Sequence, residues 1–211
     1  MRSSASSADR LLAVTDHVLF IGDSVTDCDR RTDPEGLGRG YVRLLAEGPL
    51  AGARVTNRGV NGHRIADLAA RWDRDVLDQA PDVLSVLIGV NDTWRRFDSG
   101  EPSPVDAFEA TYRDLLSRAL AAGVRRLVLV EPFVLPVTAD QGRWWAEDLG
   151  ARVDAVHRVA ADHGATLVPA AAHLTALASS RGAAALAADG VHPTADGHRE
   201  LADLWWRTAG A

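Results

Sequence analysis

The chain has 211 residues, 46% hydrophobic and 25% charged, which is the balance of an ordinary globular protein and suits one domain spanning residues 1–211. Its formal net charge at pH 7 is −6, which argues against nucleic acid or an anionic membrane surface as the main partner. All 23 residues counted as lysine or arginine are arginine, which excludes Schiff-base chemistry on a lysine.

The single cysteine, Cys28, excludes an internal disulfide and a zinc site built on thiolates. Residues 1–14 are rich in Ser and Ala and contain no continuous apolar core, which indicates a loose N-terminal segment rather than a secretory signal. No stretch approaches the ~20 apolar residues of a membrane span. The sequence therefore predicts a cytoplasmic protein with no membrane partner.

Short apolar runs alternate with longer amphipathic stretches along the chain. The predicted strands are 17–22, 53–56, 82–88, 126–131 and 166–168. The predicted helices are 41–50, 64–79, 104–122, one ending near 163, 170–187 and 194–208. This alternation predicts an α/β fold in which helices cover a parallel sheet.

Chemically reactive residues follow three of the strands or precede the last helix. Ser24 follows the first strand, Gly59 lies in a turn after the second, and Asn91 follows the third. Asp189 and His192 lie just before the final helix. Because ligands bind beyond the carboxyl ends of parallel strands, we expect these residues to meet at one edge of the sheet.

This set is chemically complete for acyl transfer. A serine hydroxyl is a poor nucleophile unless an imidazole takes its proton, a role that suits His192. Asp189, three residues earlier, is suited to orient the imidazole and stabilise its charged form. Backbone N–H groups of Ser24 and Gly59 and the side-chain amide of Asn91 are candidate donors to an oxyanion.

Four sequence blocks occur in this order: Gly22-Asp23-Ser24, Gly59 in an Asn-rich turn, Gly89-Val90-Asn91-Asp92 and Asp189-Gly190-Val191-His192-Pro193. Together they resemble the four blocks of the SGNH (GDSL-type) hydrolases, from residue 17 to about 200. The resemblance implies a three-layer α/β/α sandwich with a five-stranded, flavodoxin-like parallel sheet, and catalysis without metal or cofactor. It assigns Ser24 as nucleophile, Asp189 and His192 as the other triad members, and Gly59 and Asn91 as oxyanion donors.

A narrower set of residues is similar to intracellular acetylxylan esterases of this superfamily, namely Asp27-Cys28-Asp29-Arg30, Gly40-Tyr41-Val42, Arg71-Trp72 and residues 91–97. Those enzymes remove acetyl groups from xylo-oligosaccharides and commonly form homo-oligomers. The resemblance therefore implies an acetylated sugar as substrate and an oligomeric protein. The candidate substrate-binding residues are Asp23, Asp27, His63, Trp94 and Arg95, and Asp23 is expected to hold its loop rather than to act as the triad acid.

Two other functions remain open on the sequence alone. A lipid-type esterase, lysophospholipase or acyl-CoA thioesterase would share the chemistry, but a long acyl chain needs an apolar groove and the loop after Ser24 is polar. A non-catalytic carbohydrate-binding protein would share the fold. Simpler roles also exist for single residues: Ser24 as a helix cap, Asn91 in an Asx turn and Cys28 as an inert thiol.

Overall fold

The computed structural model describes residues 16–210, and the prediction for residues 1–14 lies outside the described residues. Five strands form one parallel sheet in the order β2-β1-β3-β4-β5. They are β1 (His17–Gly22), β2 (Arg54–Gly59), β3 (Val83–Leu87), β4 (Arg126–Val130) and β5 (Thr166–Val168). This arrangement confirms the predicted α/β fold.

Helices follow every strand. They are α1 (Ser24–Asp27), α2 (Tyr41–Glu47), α3 (Ile65–Asp75), α4 (Val90–Asp98), α5 (Val105–Ala121), α6 (Ala139–Trp144), α7 (Gly150–Asp162), α8 (Ala170–Arg181), α9 (Ala183–Leu186) and α10 (Ala195–Ala209), with a 3₁₀ turn at Leu77–Gln79 and a π-helical turn at Trp145–Leu149. The π-helical turn joins α6 directly to α7.

Alternate side chains of each strand enter different hydrophobic clusters. Val18 and Phe20 of β1 pack with residues of α2, α8 and α10, whereas Leu19 and Ile21 pack with residues of α3, α5 and α7. Successive side chains of a strand point to opposite faces, so these clusters lie on the two sides of the sheet. The result is the predicted three-layer α/β/α sandwich.

Several elements differ from the predicted ones, and the helix predicted over 64–79 ends at Asp75 before a separate 3₁₀ turn. Strand β2 continues to Gly59 rather than ending at residue 56, because residues 57–59 stay paired with β1, while the buried side chain of Asn57 bonds to the backbone of Thr26 and Leu37. The predicted helix 170–187 is interrupted at Gly182, whose φ is +85°. The segment after β3 forms helix α4, which begins at Val90.

Within residues 16–210, no helix is both long enough and apolar enough to cross a membrane. The same part of the chain contains no group of three or more His, Cys, Asp or Glu side chains arranged to hold a metal ion.

Candidate active site

The predicted nucleophile lies where β1 leaves the sheet. Asp23 caps the short helix α1 by accepting a hydrogen bond from the backbone N–H of Val25 at 3.0 Å, and Ser24 is the first residue of that helix. The first N–H groups of a helix have no partner inside the helix, so the amide of Ser24 is available to an anion. The Ser24 Oγ lies 2.9 Å from Nε2 of His192.

His192 is held by Asp189 through two of its nitrogen atoms. Its Nδ1 lies 2.6 Å from Oδ2 of Asp189, and its backbone N–H donates to Oδ1 at 2.8 Å. The bond to the carboxylate places the proton on Nδ1 and leaves Nε2 free to accept the proton of Ser24. The three predicted triad residues therefore form a continuous hydrogen-bonded relay.

The Asp189 carboxylate stays ionised although it is partly buried. Burial opposes ionisation, but hydrogen bonds from the His192 side chain and from the amides of His192 and Val191 outweigh it and hold the pKa of Asp189 below its ordinary value. An ionised carboxylate at this place is what stabilises an imidazolium during acyl transfer.

Asp23 is a second carboxylate close to the relay, but its side chain is enclosed in protein. It is 1% exposed, and its burial raises its pKa to about 7. The hydrogen bond from Val25 and the nearby His192 oppose this shift. Asp23 therefore holds its loop, as expected from the sequence. Because its side chain is enclosed, the structure does not support the direct substrate contact that was also predicted for Asp23.

Asn91 lies in the first turn of α4 and is 5% exposed. Its Nδ2 donates to the carbonyl oxygen of His63 at 3.1 Å, which fixes the orientation of the amide. The second hydrogen of that amide is free for another acceptor. Asn91 is thus oriented as an oxyanion donor would be.

The geometry does not support the oxyanion role predicted for Gly59. Its N–H donates to Oδ1 of Asn57 at 2.8 Å, and a Cβ at this position would lie 2.1 Å from the backbone nitrogen of Asp27. Gly59 is therefore a glycine because helix α1 packs directly on it. The missing side chain at Gly59 makes room for the backbone of α1 and not for an acyl oxygen.

Gly62, three residues later, has the properties that were expected of Gly59. Its φ is +78°, and a Cβ placed on it would meet nothing within 4 Å. It directly precedes His63, whose carbonyl oxygen receives the Asn91 amide. The signal available in the sequence was the dipeptide Asn61-Gly62, which marks a turn with positive φ.

Asp27 and Arg95 were expected to bind substrate hydroxyls. The buried Asp27 instead accepts a hydrogen bond from the amide of Asn61 at 3.2 Å, so it secures the loop that carries Gly62. Arg95 pairs with Asp98 at 2.7 Å on the surface of α4. The structure therefore gives Asp27 a loop-holding role through Oδ2, and it shows no contact between Arg95 and the relay; the binding of substrate hydroxyls by either residue stays a prediction.

His63 is half-buried beside Asn91. Its Nδ1 accepts a hydrogen bond from Nε of Arg71 at 3.1 Å, which leaves the proton of the neutral ring on Nε2. Burial and the charge of Arg71 both lower the pKa of His63. The ring is accordingly a neutral donor through Nε2, which suits a sugar hydroxyl.

An aromatic wall formed by Trp94, Phe97 and Trp144 borders the relay. The Trp94 ring lies 6.1 Å from the His192 ring and 5.4 Å from that of Trp144, and Phe97 stacks on Trp144 at 6.0 Å. Trp144 is 6% exposed, whereas Trp94 keeps an accessible surface. Trp94 and Phe97 both keep accessible surface, and Trp94 is the one whose ring lies against His192.

Cys28 lies near the nucleophile without joining it. Its Sγ is 3.3 Å from Nε2 of His198, whose Nδ1 accepts the backbone N–H of Tyr41 and so leaves the proton on Nε2. Burial raises the pKa of the Cys28 thiol, and the charges of Asp29 and Asp27 add to the effect. A protonated, partly buried thiol is a poor nucleophile.

A Ser–His–Asp relay at the carboxyl edge of a parallel sheet defines a hydrolase of carboxylic esters. The chain belongs to the GDSL-like Lipase/Acylhydrolase family, whose model matches residues 20–200.

Known proteins match almost the whole chain. An acetylxylan esterase from Geobacillus stearothermophilus is 37% identical over 207 residues, which cover 92% of this chain and 93% of that protein. The crystal structure of that organism's acetylxylan esterase Axe2 superposes with a TM-score of 0.81 at 33% identity, covering 93% and 94% of the two chains. A protein from Parabacteroides merdae that carries the description GDSL-like lipase gives a TM-score of 0.87 at 30% identity, covering 96% and 99%.

Solved structures of Axe2 include catalytic mutants in which a serine, an aspartate or a histidine is replaced by alanine. The aspartate and the histidine are three positions apart in Axe2, the spacing that separates Asp189 from His192 here.

Proposed function

We propose that this protein is a serine esterase that removes acetyl groups from carbohydrate esters, with acetylated xylo-oligosaccharides or closely similar sugars as substrates. The observation that carries the proposal is the relay from Asp189 through His192 to Ser24, with separations of 2.6 and 2.9 Å. This geometry prepares a hydroxyl to attack an ester carbonyl.

In the first half-reaction, Nε2 of His192 takes the proton of Ser24 as Oγ attacks the acetyl carbonyl carbon. The carbonyl oxygen becomes an oxyanion, and Asp189 stabilises the imidazolium that forms. Collapse of the tetrahedral intermediate breaks the bond to the sugar oxygen, which leaves with the proton from His192. The product is a free sugar hydroxyl and an acetyl group on Ser24.

In the second half-reaction, water replaces the sugar. Nε2 of His192 takes a proton from the water as its oxygen attacks the acetyl-enzyme, and a second tetrahedral intermediate forms. Its collapse returns the proton to Oγ of Ser24 and releases acetate. Every proton transfer in the cycle uses the same imidazole nitrogen.

Three donors are proposed for the oxyanion: the backbone N–H of Ser24, the side-chain amide of Asn91 and the backbone N–H of Gly62. Gly62 replaces Gly59 in this role because the N–H of Gly59 is already bonded to Asn57. Loss of one such donor typically costs about 3 to 4 kcal/mol of transition-state stabilisation.

The preference for a sugar rests on the groups beside the relay. Trp94 presents an aromatic surface 6.1 Å from the His192 ring, and apolar faces of sugars pack on such rings. His63, whose backbone carbonyl oxygen receives the Asn91 amide, carries an Nε2 donor that suits a sugar hydroxyl. The likeness to acetylxylan esterases supports the same substrate class.

A lipid-type esterase or an acyl-CoA thioesterase is the competing activity, since the family also includes lipases and acylhydrolases by its description. A homo-oligomeric state, a cytoplasmic location and the organisation of residues 1–211 as one domain stay predictions from the sequence. The triad of Ser24, Asp189 and His192 remains part of the proposal.

A fluorophosphonate probe tests the catalytic claim directly, because it labels only an activated serine. We expect one label per chain on Ser24, and no label on Ser24→Ala or His192→Ala variants that keep the wild-type circular dichroism spectrum. A folded wild-type protein that takes no label would contradict the proposal.

A further inference from the structure

The catalytic dyad lies on an exposed loop. The side chains of His192 and Asp189 are 44% and 50% exposed, so burial does not fix their orientation. Catalytic groups nevertheless need a precise geometry, because a shift of about 1 Å can cost 100-fold in rate. Hydrogen bonds within the loop hold Asp189 and His192 to each other, so contacts to the loop backbone must place the loop relative to the rest of the site.

The segment that runs from the end of β4 through α6 makes these contacts. The amide of Leu135 donates to the carbonyl oxygen of Gly190 at 2.7 Å. Nε2 of Gln141, in α6, donates to the carbonyl oxygen of Asp189 at 2.6 Å. Two consecutive carbonyl groups of the catalytic loop are thus bonded to one neighbouring segment. The next residue, Val191, packs with Trp144 in an apolar cluster.

Gln141 is itself fixed in place. It is 7% exposed, and its Oε1 accepts a hydrogen bond from the amide of Val137 at 2.9 Å. This bond defines which end of the side-chain amide is the donor. Gly190 adopts a φ of +84°, and a Cβ there would lie 2.6 Å from Oε1 of Gln141, so the loop backbone packs directly against this side chain.

We infer that Gln141 is a positioning residue, which sets the Asp189 peptide so that the carboxylate of Asp189 meets His192. Gln141 touches neither the substrate nor the reacting atoms in this account. The inference rests on the proposed esterase function for its kinetic consequence, but the geometry of the dyad is observable without any substrate.

The simplest competing role for Gln141 is to satisfy the amide of Val137. Gln141→Glu separates the two roles, because a glutamate keeps an acceptor for Val137 and loses the donor to Asp189. Gln141→Met removes both and serves as a second variant if the glutamate impairs folding. Asp140→Asn, one residue away on the exposed side of α6, is the matched control.

At pH 8 we expect Gln141→Glu and Gln141→Met to lower kcat by about 10- to 100-fold for p-nitrophenyl acetate, with KM within about twofold of wild type. Rates are divided by the concentration of active sites titrated with the fluorophosphonate. The downfield proton resonance of Nδ1–H in His192 should shift or broaden in both variants. Asp140→Asn should match the wild type in each respect.

A wild-type kcat in Gln141→Glu would overturn the inference. The inference would also be overturned if the Gln141 variants lost only melting temperature or the fraction of active sites, while kcat per active site and the Nδ1 resonance stayed unchanged. A wild-type enzyme that neither hydrolyses esters nor labels at Ser24 would instead contradict the proposed function. In that case the Nδ1 resonance still decides whether Gln141 positions the dyad.

Discussion

Nδ2 of Asn91 donates to the carbonyl oxygen of His63 across 3.1 Å. This bond joins the first turn of α4 to the loop after β2, and it turns the amide so that one hydrogen is engaged and the other is free. Two loops that come from different strands are thereby held in a fixed relation. The proposed oxyanion site depends on that relation.

Asn91→Ala should lower kcat by about 100- to 1,000-fold, because one oxyanion donor is lost. Asn91→Asp should lower it further, since a carboxylate of the same shape places negative charge beside the developing oxyanion. Steady-state kinetics with p-nitrophenyl acetate measure both effects. An active Asn91→Asp enzyme would show that the amide is not a donor.

Gly59 and Gly62 should respond differently to alanine. Gly59→Ala places a Cβ 2.1 Å from the backbone nitrogen of Asp27, so we expect a large loss of stability or no soluble protein. Gly62→Ala meets no neighbour within 4 Å and should fold, at a cost of about 1 kcal/mol for the φ of +78°. Thermal denaturation measures both.

The activity of Gly62→Ala then tests its role. We expect kcat to fall by about 10-fold or more, because backbone strain at Gly62 turns the proposed donor away from the oxyanion. If Gly62→Ala kept full activity, the assignment of this donor would be wrong.

Ser24→Ala and His192→Ala should each lower kcat by about 10,000-fold or more, and the double variant should be no slower than either single variant. The reason is that the two residues act as one unit, so the second loss removes nothing further. Active-site labelling checks for traces of wild-type enzyme. Losses that multiply in the double variant would mean that the residues act independently.

Asp23→Asn should stabilise the fold in a pH-dependent way. The pKa of Asp23 is raised to about 7 in the folded state, so as pH rises from about 4 to 7 the unfolded state ionises first and folding loses stability. The asparagine avoids this cost and keeps an acceptor for Val25. The free energy of unfolding of Asp23→Asn should exceed that of the wild type by almost nothing below pH 4. The difference should grow up to pH 7 and then stay constant, on the order of a few kcal/mol.

Urea unfolding at pH 4, 6 and 8 measures the free energy of unfolding of the Asp23→Asn and wild-type proteins. An advantage that shrinks as pH rises would contradict the raised pKa. Because Asp23 also lies near His192, we expect the more stable variant to be less active.

The sequence was sufficient to predict the sheet and the pairing of Asp189 with His192, because both leave local signals. Buried parallel strands appear as apolar runs, and Asp189 and His192 lie in one short turn where three residues of separation bring them together. Asn91 was also predicted from its place after a strand. These features depend on neighbours along the chain.

The sequence did not predict the contacts that join distant segments. Asn57 resembles a turn residue, yet it pairs with Phe20 of β1 in a strand that continues to Gly59, and its buried side chain bonds to Thr26 and Leu37. The Asn57 side chain also accepts the N–H of Gly59, so Gly62 is proposed as the oxyanion donor in place of Gly59. Gln141 gave no signal at all, because its partner is 48 residues away.

A comparison of initial rates tests the central claim most directly: purified enzyme acting on acetylated xylo-oligosaccharides, p-nitrophenyl acetate, p-nitrophenyl palmitate and a long-chain acyl-CoA, with Ser24→Ala as the blank. We expect release of acetate from the oligosaccharides and hydrolysis of p-nitrophenyl acetate, with little turnover of the palmitate or the acyl-CoA. A preference for either long-chain substrate, with the acetylated oligosaccharides left intact, would contradict the account.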